Sequence, residues 1–281
     1  MNQIIIVGGK GQLGQCLQEK IGGAYNFVFL GSADLDISDA GQISAVFEQY
    51  KPVYCINCAA YTAVDQAEED LDRAFEINEF AVKRLAENCI KYGTTLIHIS
   101  TDFVFNGDSS IPLTETLHTS PVNVYGLSKL KGEQEIQQIM EQYYIIRTSW
   151  LYSEKANNFV KTMLKLAQSR SELTVIYDQV GTPTYAMDLA EVILKIIQHD
   201  PAAYGVYHYS NEGVASWYDF AKAVFEFAEI EMKVLPVASS SFITKAKRPH
   251  YSVLDKTKIK QAFGIEIPYW RESLNRCIQN I

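Results

Sequence analysis

The chain has 281 residues, 47% hydrophobic and 21% charged, which places it among soluble globular proteins and excludes disordered, collagen-like and coiled-coil classes. With 25 Lys and Arg against 33 Asp and Glu the net charge is −8, and no basic run is longer than Lys245 to Arg248, so no nucleic-acid partner is expected. Its longest apolar runs are strand-sized and its N-terminus lacks a secretory signal pattern, so the expectation is a cytoplasmic protein with no membrane association.

Short apolar runs alternate with helix-period segments from the first residues. Gln3 to Val7, Phe27 to Leu30, Val53 to Cys58, Thr95 to Ile99 and Tyr143 to Arg147 read as strands, rich in Val, Ile, Phe and Tyr. Helices are predicted at Gly11 to Lys20, Ala40 to Tyr50, Gln66 to Tyr92 and Val124 to Glu141. Near-continuous apolar strands separated by helices predict an α/β fold, a doubly wound parallel sheet of Rossmann-like type. Residues 1–150 read as a dinucleotide-binding domain to which later segments return, and 151–281 as mainly a smaller substrate-binding region. That second region carries loop signals at Gly181-Thr182-Pro183-Thr184, Asp200-Pro201, Ser239-Ser240-Ser241 and Arg248-Pro249. Its helices are expected at Asn158 to Gln168, Met187 to Gln198, Trp217 to Ala228 and Trp270 to Ile278.

Five cysteines at irregular spacings make no disulfide framework. Cys55 and Cys58 form a C-x-x-C, but inside an apparent buried strand and without two further ligands, so core cysteines and no metal site are expected.

The first strand runs straight into Gly8-Gly9-Lys10-Gly11-Gln12-Leu13-Gly14, which then opens a helix. Glycines at 8, 11 and 14 permit a tight turn and let backbone N–H groups approach a pyrophosphate at a helix N-terminus. After the second strand comes Leu30-Gly31-Ser32-Ala33, with neither a carboxylate aimed at a ribose nor an arginine for a 2′-phosphate, so NADH and NADPH are not discriminated in an obvious way. Asp36 and Ile37 open the following loop and are candidates to meet the adenine; Asp36 is alternatively a cap for the helix near Ala40.

Tyr125 and Lys129 stand four apart at the start of a predicted helix and so share a face. A neighbouring ammonium lowers a phenol's pKa, which would fit Tyr125 for proton transfer, and the same lysine could hold a nicotinamide ribose. Ser100-Thr101-Asp102 ends an apolar strand, at the edge where open α/β sheets place ligands, and a hydroxyl there can bond a substrate carbonyl.

Together with Asn57 to Asp65, Ser100 to Phe105, Arg147 to Tyr152 and Lys247-Arg248-Pro249, these segments resemble the extended short-chain dehydrogenase/reductases, and among them the dTDP-4-dehydrorhamnose reductase family, from residue 3 to about 278. The resemblance implies reduction of the C4 ketone of dTDP-4-dehydro-L-rhamnose with NADPH or NADH, for surface polysaccharide synthesis. It implies Thr101, Tyr125 and Lys129 as the catalytic set, with Gly8, Gly11, Gln12, Leu13, Gly14, Asp36, Ile37, Ala59, Ala60 and Tyr61 lining the dinucleotide. Asp102, Phe103, Trp150 and Asn158 would face the sugar nucleotide, with Arg248 near its diphosphate; the alternatives are a core aromatic for Trp150, an N-cap for Asn158 and a solvated charge for Arg248. Some members bridge a dimer through Mg²⁺ with a glutamate two residues after the third glycine; here Cys16 stands there, which makes Mg²⁺ doubtful and suggests a monomer or weak homodimer. The alternative within the superfamily is another sugar-nucleotide reductase, epimerase or dehydratase; related dehydratases follow the threonine with Asp-Glu, whereas Phe103 follows Asp102 here. A remaining alternative is a non-catalytic regulatory subunit, a role that some proteins resembling this family take beside methionine adenosyltransferase.

Overall fold

The computed structural model describes residues 2–21, 26–199 and 202–281; the Asp200-Pro201 loop signal lies outside them. Strand β1 (Gln3–Val7) is buried on both faces: Ile4 and Ile6 enter one apolar cluster while Ile5 and Val7 enter another. That alternation explains the continuous apolar run, since a central parallel strand has no solvent face. β2 (Asn26–Leu30), β3 (Tyr54–Asn57), β4 (Thr95–Thr101) and β5 (Tyr143–Thr148) join it in a parallel sheet. The helices α1 (Gln12–Lys20) and α2 (Ala40–Tyr50) lie on opposite faces, α1 in the first cluster through Cys16 and Leu17 and α2 in the second through Ile43 and Phe47.

The long helix expected over Gln66 to Tyr92 is broken into α3 (Val64–Ala67), α4 (Leu71–Phe75), a π turn at Glu76–Phe80 and α5 (Ala81–Tyr92). The π turn carries a buried polar side chain: Asn78 accepts from the Tyr61 N–H at 2.9 Å and donates to the Tyr61 carbonyl at 3.1 Å and to Ser128 Oγ at 3.0 Å. Polar clamping of the 59–61 loop thus overrides regular helical periodicity, as π turns near functional sites commonly do. Helix α6 (Val124–Ile139) packs beside it so closely that a Cβ at Gly132 would lie 2.1 Å from the Asn78 carbonyl oxygen.

Beyond β5 the chain makes β6 (Leu151–Tyr152), α7 (Phe159–Ala167), β7 (Glu172–Ile176), β8 (Val180–Gly181), β9 (Thr184–Tyr185) and α8 (Ala186–His199). It then returns to the main sheet as β10 (Gly205–His208), giving the order β10-β5-β4-β3-β1-β2. The remaining elements are β11 (Ala215–Ser216), α9 (Trp217–Phe227), β12 (Lys233–Val237), α10 (Thr257–Phe263) and α11 (Trp270–Ile278). Three small two-stranded pairings, β6 with β9, β7 with β12 and β8 with β11, brace this half. A buried Glu133–Arg147 pair at 2.6 Å joins α6 to β5, with Ser100 donating to Glu133 and His208 beside Arg147. All five cysteines are free thiols. Among the described residues no helix is long and apolar enough to cross a membrane, and no group of three or more His, Cys, Asp or Glu is placed to hold a metal ion.

Candidate active site

The strand order reverses between β1 and β3, and it is there, at the carboxyl ends of the strands, that open α/β sheets form a ligand crevice. Gly8 leaves β1 with φ +77°, and a Cβ on it would lie 2.7 Å from the Ala59 backbone nitrogen. A Cβ on Gly14 would lie 2.5 Å from the Gly9 carbonyl oxygen. A side chain is therefore excluded at Gly8 and at Gly14. Gly11, the N-cap of α1, offers no side-chain acceptor, which leaves the first-turn N–H groups available to an anion. This cradle fits a dinucleotide pyrophosphate.

The other expected lining residues divide. Ala59, Ala60 and Tyr61 form the opposite wall, held by Asn57 Oδ1 on the Ala59 N–H (3.1 Å) and by Asn78 on Tyr61. The Leu13 and Ile37 side chains are packed in the two apolar clusters, so only their backbones can face a ligand. Asp36 is not the cap of α2; that role falls to Asp39, whose Oδ1 accepts from Gly41 and Gln42, while Asp36 accepts from Ser38. At the end of β2 stands a residue that sequence reasoning misses. The Lys10 side chain lies over Gly31 and reaches Asp34 at 3.3 Å, placing a cation beside the turn that follows β2.

Thr101 ends β4, and α6 starts against it. Asn123 caps the helix by accepting from the Gly126 N–H at 2.7 Å and donates to the Lys247 carbonyl at 2.8 Å. Gly126 is required because a Cβ would sit 2.2 Å from the Phe103 carbonyl oxygen. This close approach brings the Tyr125 hydroxyl onto Thr101, and Phe103 meets the Tyr125 ring edge-on at 5.6 Å. The Thr101 hydroxyl donates to Asp102 Oδ1 at 3.0 Å. Burial pushes the Asp102 carboxyl up to about 6, against the opposing effect of the Ser252 and Thr101 hydroxyls.

The expected lowering of the Tyr125 phenol by Lys129 is not what the geometry gives. Burial raises the phenol to about 12, with Asp102 adding to the rise and the Thr101 hydrogen bond opposing it. Lys129 is turned elsewhere: its Nζ donates to the Ile99 carbonyl at 2.7 Å and lies 3.3 Å from His98 Nε2. Burial pushes the lysine itself down to about 8, opposed by Glu133.

Asp102, Phe103, Trp150 and Arg248 share one crevice with Gln179, Trp217, Pro249 and Ser252. Trp150 adopts φ +46° and stacks on Trp217, with ring centroids 3.5 Å apart and planes 8° from parallel. Neither Trp217 nor Gln179 stands out in the sequence, since a tryptophan opening an amphipathic helix and a loop glutamine carry no motif. Arg248 is not a free solvated charge: its guanidinium holds Asp65 at 2.5 and 3.1 Å and the Ala246 carbonyl at 3.1 Å. Asn158 lies outside that lining. It caps α7 by accepting from Lys161, and its Nδ2 donates to Gln12 Oε1 at 2.8 Å, tying the second region to the glycine loop. Cys16 is buried, its thiol raised to about 12 by burial and Glu154, beside a cavity of about 570 Å³ lined by Glu19, Lys20, Glu154, Lys155, Tyr185 and Arg276.

A glycine-lined crevice at the switch point, flanked by a Thr-Tyr-Lys arrangement, defines the class as an extended short-chain dehydrogenase/reductase. Comparison with known proteins narrows this. The family described as RmlD substrate binding domain matches residues 1–281. The chain is 41% identical to the spore coat polysaccharide biosynthesis protein SpsK of Bacillus subtilis (99% of this chain, 98% of that protein). It is 37% identical to dTDP-4-dehydrorhamnose reductase of Escherichia coli K12 (99% and 97%). The crystal structure of dTDP-4-dehydrorhamnose reductase from Bacillus anthracis in complex with NADP superposes with a TM-score of 0.97 at 40% identity, covering 100% of both chains. The chain belongs to the dTDP-4-dehydrorhamnose reductase family.

Proposed function

We propose that this protein reduces the C4 ketone of dTDP-4-dehydro-L-rhamnose to give dTDP-L-rhamnose, using NADPH or NADH, as a cytoplasmic monomer or weak homodimer in surface polysaccharide synthesis. Full-length likeness to reductases of that name supports the reaction, and the NADP complex of the Bacillus anthracis relative supports the cofactor class. The observation that carries the reading is the Tyr125 hydroxyl held on Thr101 beside a crevice walled by Asp102, Phe103, Trp150 and Arg248.

The bound dinucleotide supplies a hydride. Gly8, Gly11 and Gly14 let the backbone close on its pyrophosphate, with the Ala59–Tyr61 loop as the far wall. Tyr125, with a raised pKa, is fully protonated at neutral pH and is the proton donor in reach of a ketone oxygen in the crevice. The Thr101 hydroxyl gives its one proton to Asp102 in this structure, and it would steady the ketone oxygen by turning that proton from Asp102 to it. Lys129 lies one helical turn behind Tyr125, but its Nζ donates to the Ile99 carbonyl, so to hold a ribose hydroxyl and return a proton to the phenol its side chain must turn from β4 toward the crevice. Trp150, stacked on Trp217, offers a flat apolar wall, and Arg248, fixed by Asp65, a planar donor fork for the diphosphate. The second region, 151–281, would supply most of this sugar-nucleotide wall.

The test is oxidation of NADPH or NADH on adding the 4-ketosugar nucleotide. Turnover with the dTDP-linked 4-ketosugar and little with UDP- or GDP-linked ketosugars is expected; the reverse order, or no turnover with any, would refute the reading.

A further inference from the structure

His98 sits in the middle of β4, fully buried, and the proposed reaction makes no use of it. Its two ring nitrogens meet two different side chains: Nδ1 is 3.1 Å from Asn57 Nδ2, and Nε2 is 3.3 Å from Lys129 Nζ. A neutral imidazole has one donor and one acceptor to give them. The Asn57 amide is oriented by the backbone, because its Oδ1 accepts the Ala59 N–H at 3.1 Å, so it presents an N–H to the ring. His98 Nδ1 must then accept, the ring proton must lie on Nε2, and that N–H points at Lys129. An ammonium there would set donor against donor. An amine accepts the Nε2–H and still donates to the Ile99 carbonyl at 2.7 Å.

One other arrangement satisfies the ring, and it reverses both contacts. Lys129 as ammonium donates to Nε2, Nδ1–H donates to an Asn57 Oδ1 that has turned over, and the Ala59 N–H loses its acceptor. We propose that Asn57 and His98 form a two-state hydrogen-bond relay that ties the charge on Lys129 to the orientation of the Asn57 amide in the wall of the dinucleotide crevice: amine with His98 Nε2–H, ammonium with His98 Nδ1–H. The other groups facing Lys129 are Glu133, one turn further along α6, and Cys58, from the loop after β3. Glu133 is held by Arg147 and Ser100 and keeps one orientation. Cys58 stays a thiol, raised by burial, and of these neighbours His98 alone is also bonded to Asn57, so it alone can pass an exchange of donor for acceptor on to that amide. Protonation of the ring itself does not intrude, because burial and Lys129 hold His98 well below its usual range. Burial also brings Lys129 down to about 8, so both states fall within an ordinary pH titration.

His98 and Asn57 are on this account positioning residues, and their bearing on catalysis rests on the reading of Lys129 given above. The experiment is ¹⁵N NMR of the histidine ring nitrogens across a pH titration, with His98→Gln used to assign the His98 signals. The expected result is that the unprotonated, downfield nitrogen changes from Nε2 at lower pH to Nδ1 at higher pH, with a midpoint near 8 set by Lys129. A tautomer that stays the same throughout overturns the relay. Asn57→Asp keeps an acceptor for Ala59 and removes the donor, so it should pin His98 as Nδ1–H and stop the exchange. It should also move the alkaline limb of kcat/KM upward by about one pH unit or more. Continued exchange in that folded variant would equally count against the relay, and if the variant does not fold the parent titration decides. An exchange without any limb in kcat/KM at the same pH leaves the relay standing and refutes instead the catalytic reading of Lys129.

Discussion

Tyr125 binds its proton more tightly than a free phenol, and this fits an acid in a reduction, which must begin the cycle loaded. Tyr125→Phe removes that proton and keeps the ring against Phe103, so kcat should fall by roughly 10² to 10⁴ with little change in dinucleotide affinity. Thr101→Val, isosteric but without the hydroxyl, should cost less, and Lys129→Ala should impair both kcat and dinucleotide affinity; steady-state kinetics with fluorescence titration of bound NADPH separate the three. Asp102 gives a pH signature of known sign. Its carboxyl is raised from 3.8 to about 6 in the fold, so the folded state binds the extra proton and stability falls as pH rises through that window. Asp102→Asn should remove that slope from a plot of Tm against pH. It should also flatten the acid limb of kcat/KM near 6, because a neutral amide no longer titrates beside Thr101. An unchanged acid limb would assign it to another group.

At the level of elements, the π turn and α6 form one unit. Gly132 lets the Asn78 carbonyl approach α6, and Asn78 in turn clamps Tyr61. Gly132→Ala must push the π turn and α6 apart, an overpacking cost of about 1–3 kcal/mol, and should lower Tm by several degrees while raising KM for the dinucleotide more than KM for the sugar nucleotide. A fall in Tm with both KM values unchanged would show that the clamp does not reach the crevice. These contacts also mark what a sequence can and cannot disclose. β1, α2 and α11 are legible to the residue or nearly so, because unbroken apolar runs and clean 3.6-residue spacing answer to local physics. The 66–92 segment is not: the chain turns between α3 and α4, and further on the register widens into a π turn at Asn78, whose partners lie on a loop and another helix. The glycine turn and the shared face of Tyr125 and Lys129 are legible through spacing, while Thr101 is marked by its place at the end of a strand. What Lys129 touches is not legible: a four-residue interval fixes the shared face of α6, but only tertiary packing turns Nζ toward β4. Lys10 escapes for the same reason, sitting inside the glycine motif while its side chain lies across the end of β2.

For the molecule as a whole, cofactor choice and metal dependence follow from how the first two β-α units meet. The turn after β2 has no carboxylate aimed at a ribose and no arginine of its own; Lys10 beside it is partly engaged by Asp34, and Arg73 and Arg84 are bonded to Ser38 further along the loop. NADH and NADPH should therefore differ in kcat/KM by less than about 1.4 kcal/mol, or roughly tenfold, and a preference of about a hundredfold either way would contradict this. Lys10→Ala should shift whatever preference exists toward NADH. With a buried, protonated Cys16 at the position where relatives are expected to offer an oxygen ligand, EDTA should leave the sedimentation profile unchanged.

The return of the chain to the main sheet at β10 has a consequence during synthesis on the ribosome. β5 finds its outer partner only when residues Gly205–His208 have emerged, some 60 positions after its own end, and until then its backbone is an unpaired edge. Arg147, buried in the finished protein, lacks the covering His208 over the same interval. A nascent chain stalled between these strands is thus a dangerous species, compact through β1 to β5 yet sticky along one border, and, with about 30–40 residues held in the exit tunnel, holdase chaperones should bind ribosome-arrested chains ending near residue 200 more than chains ending past 260.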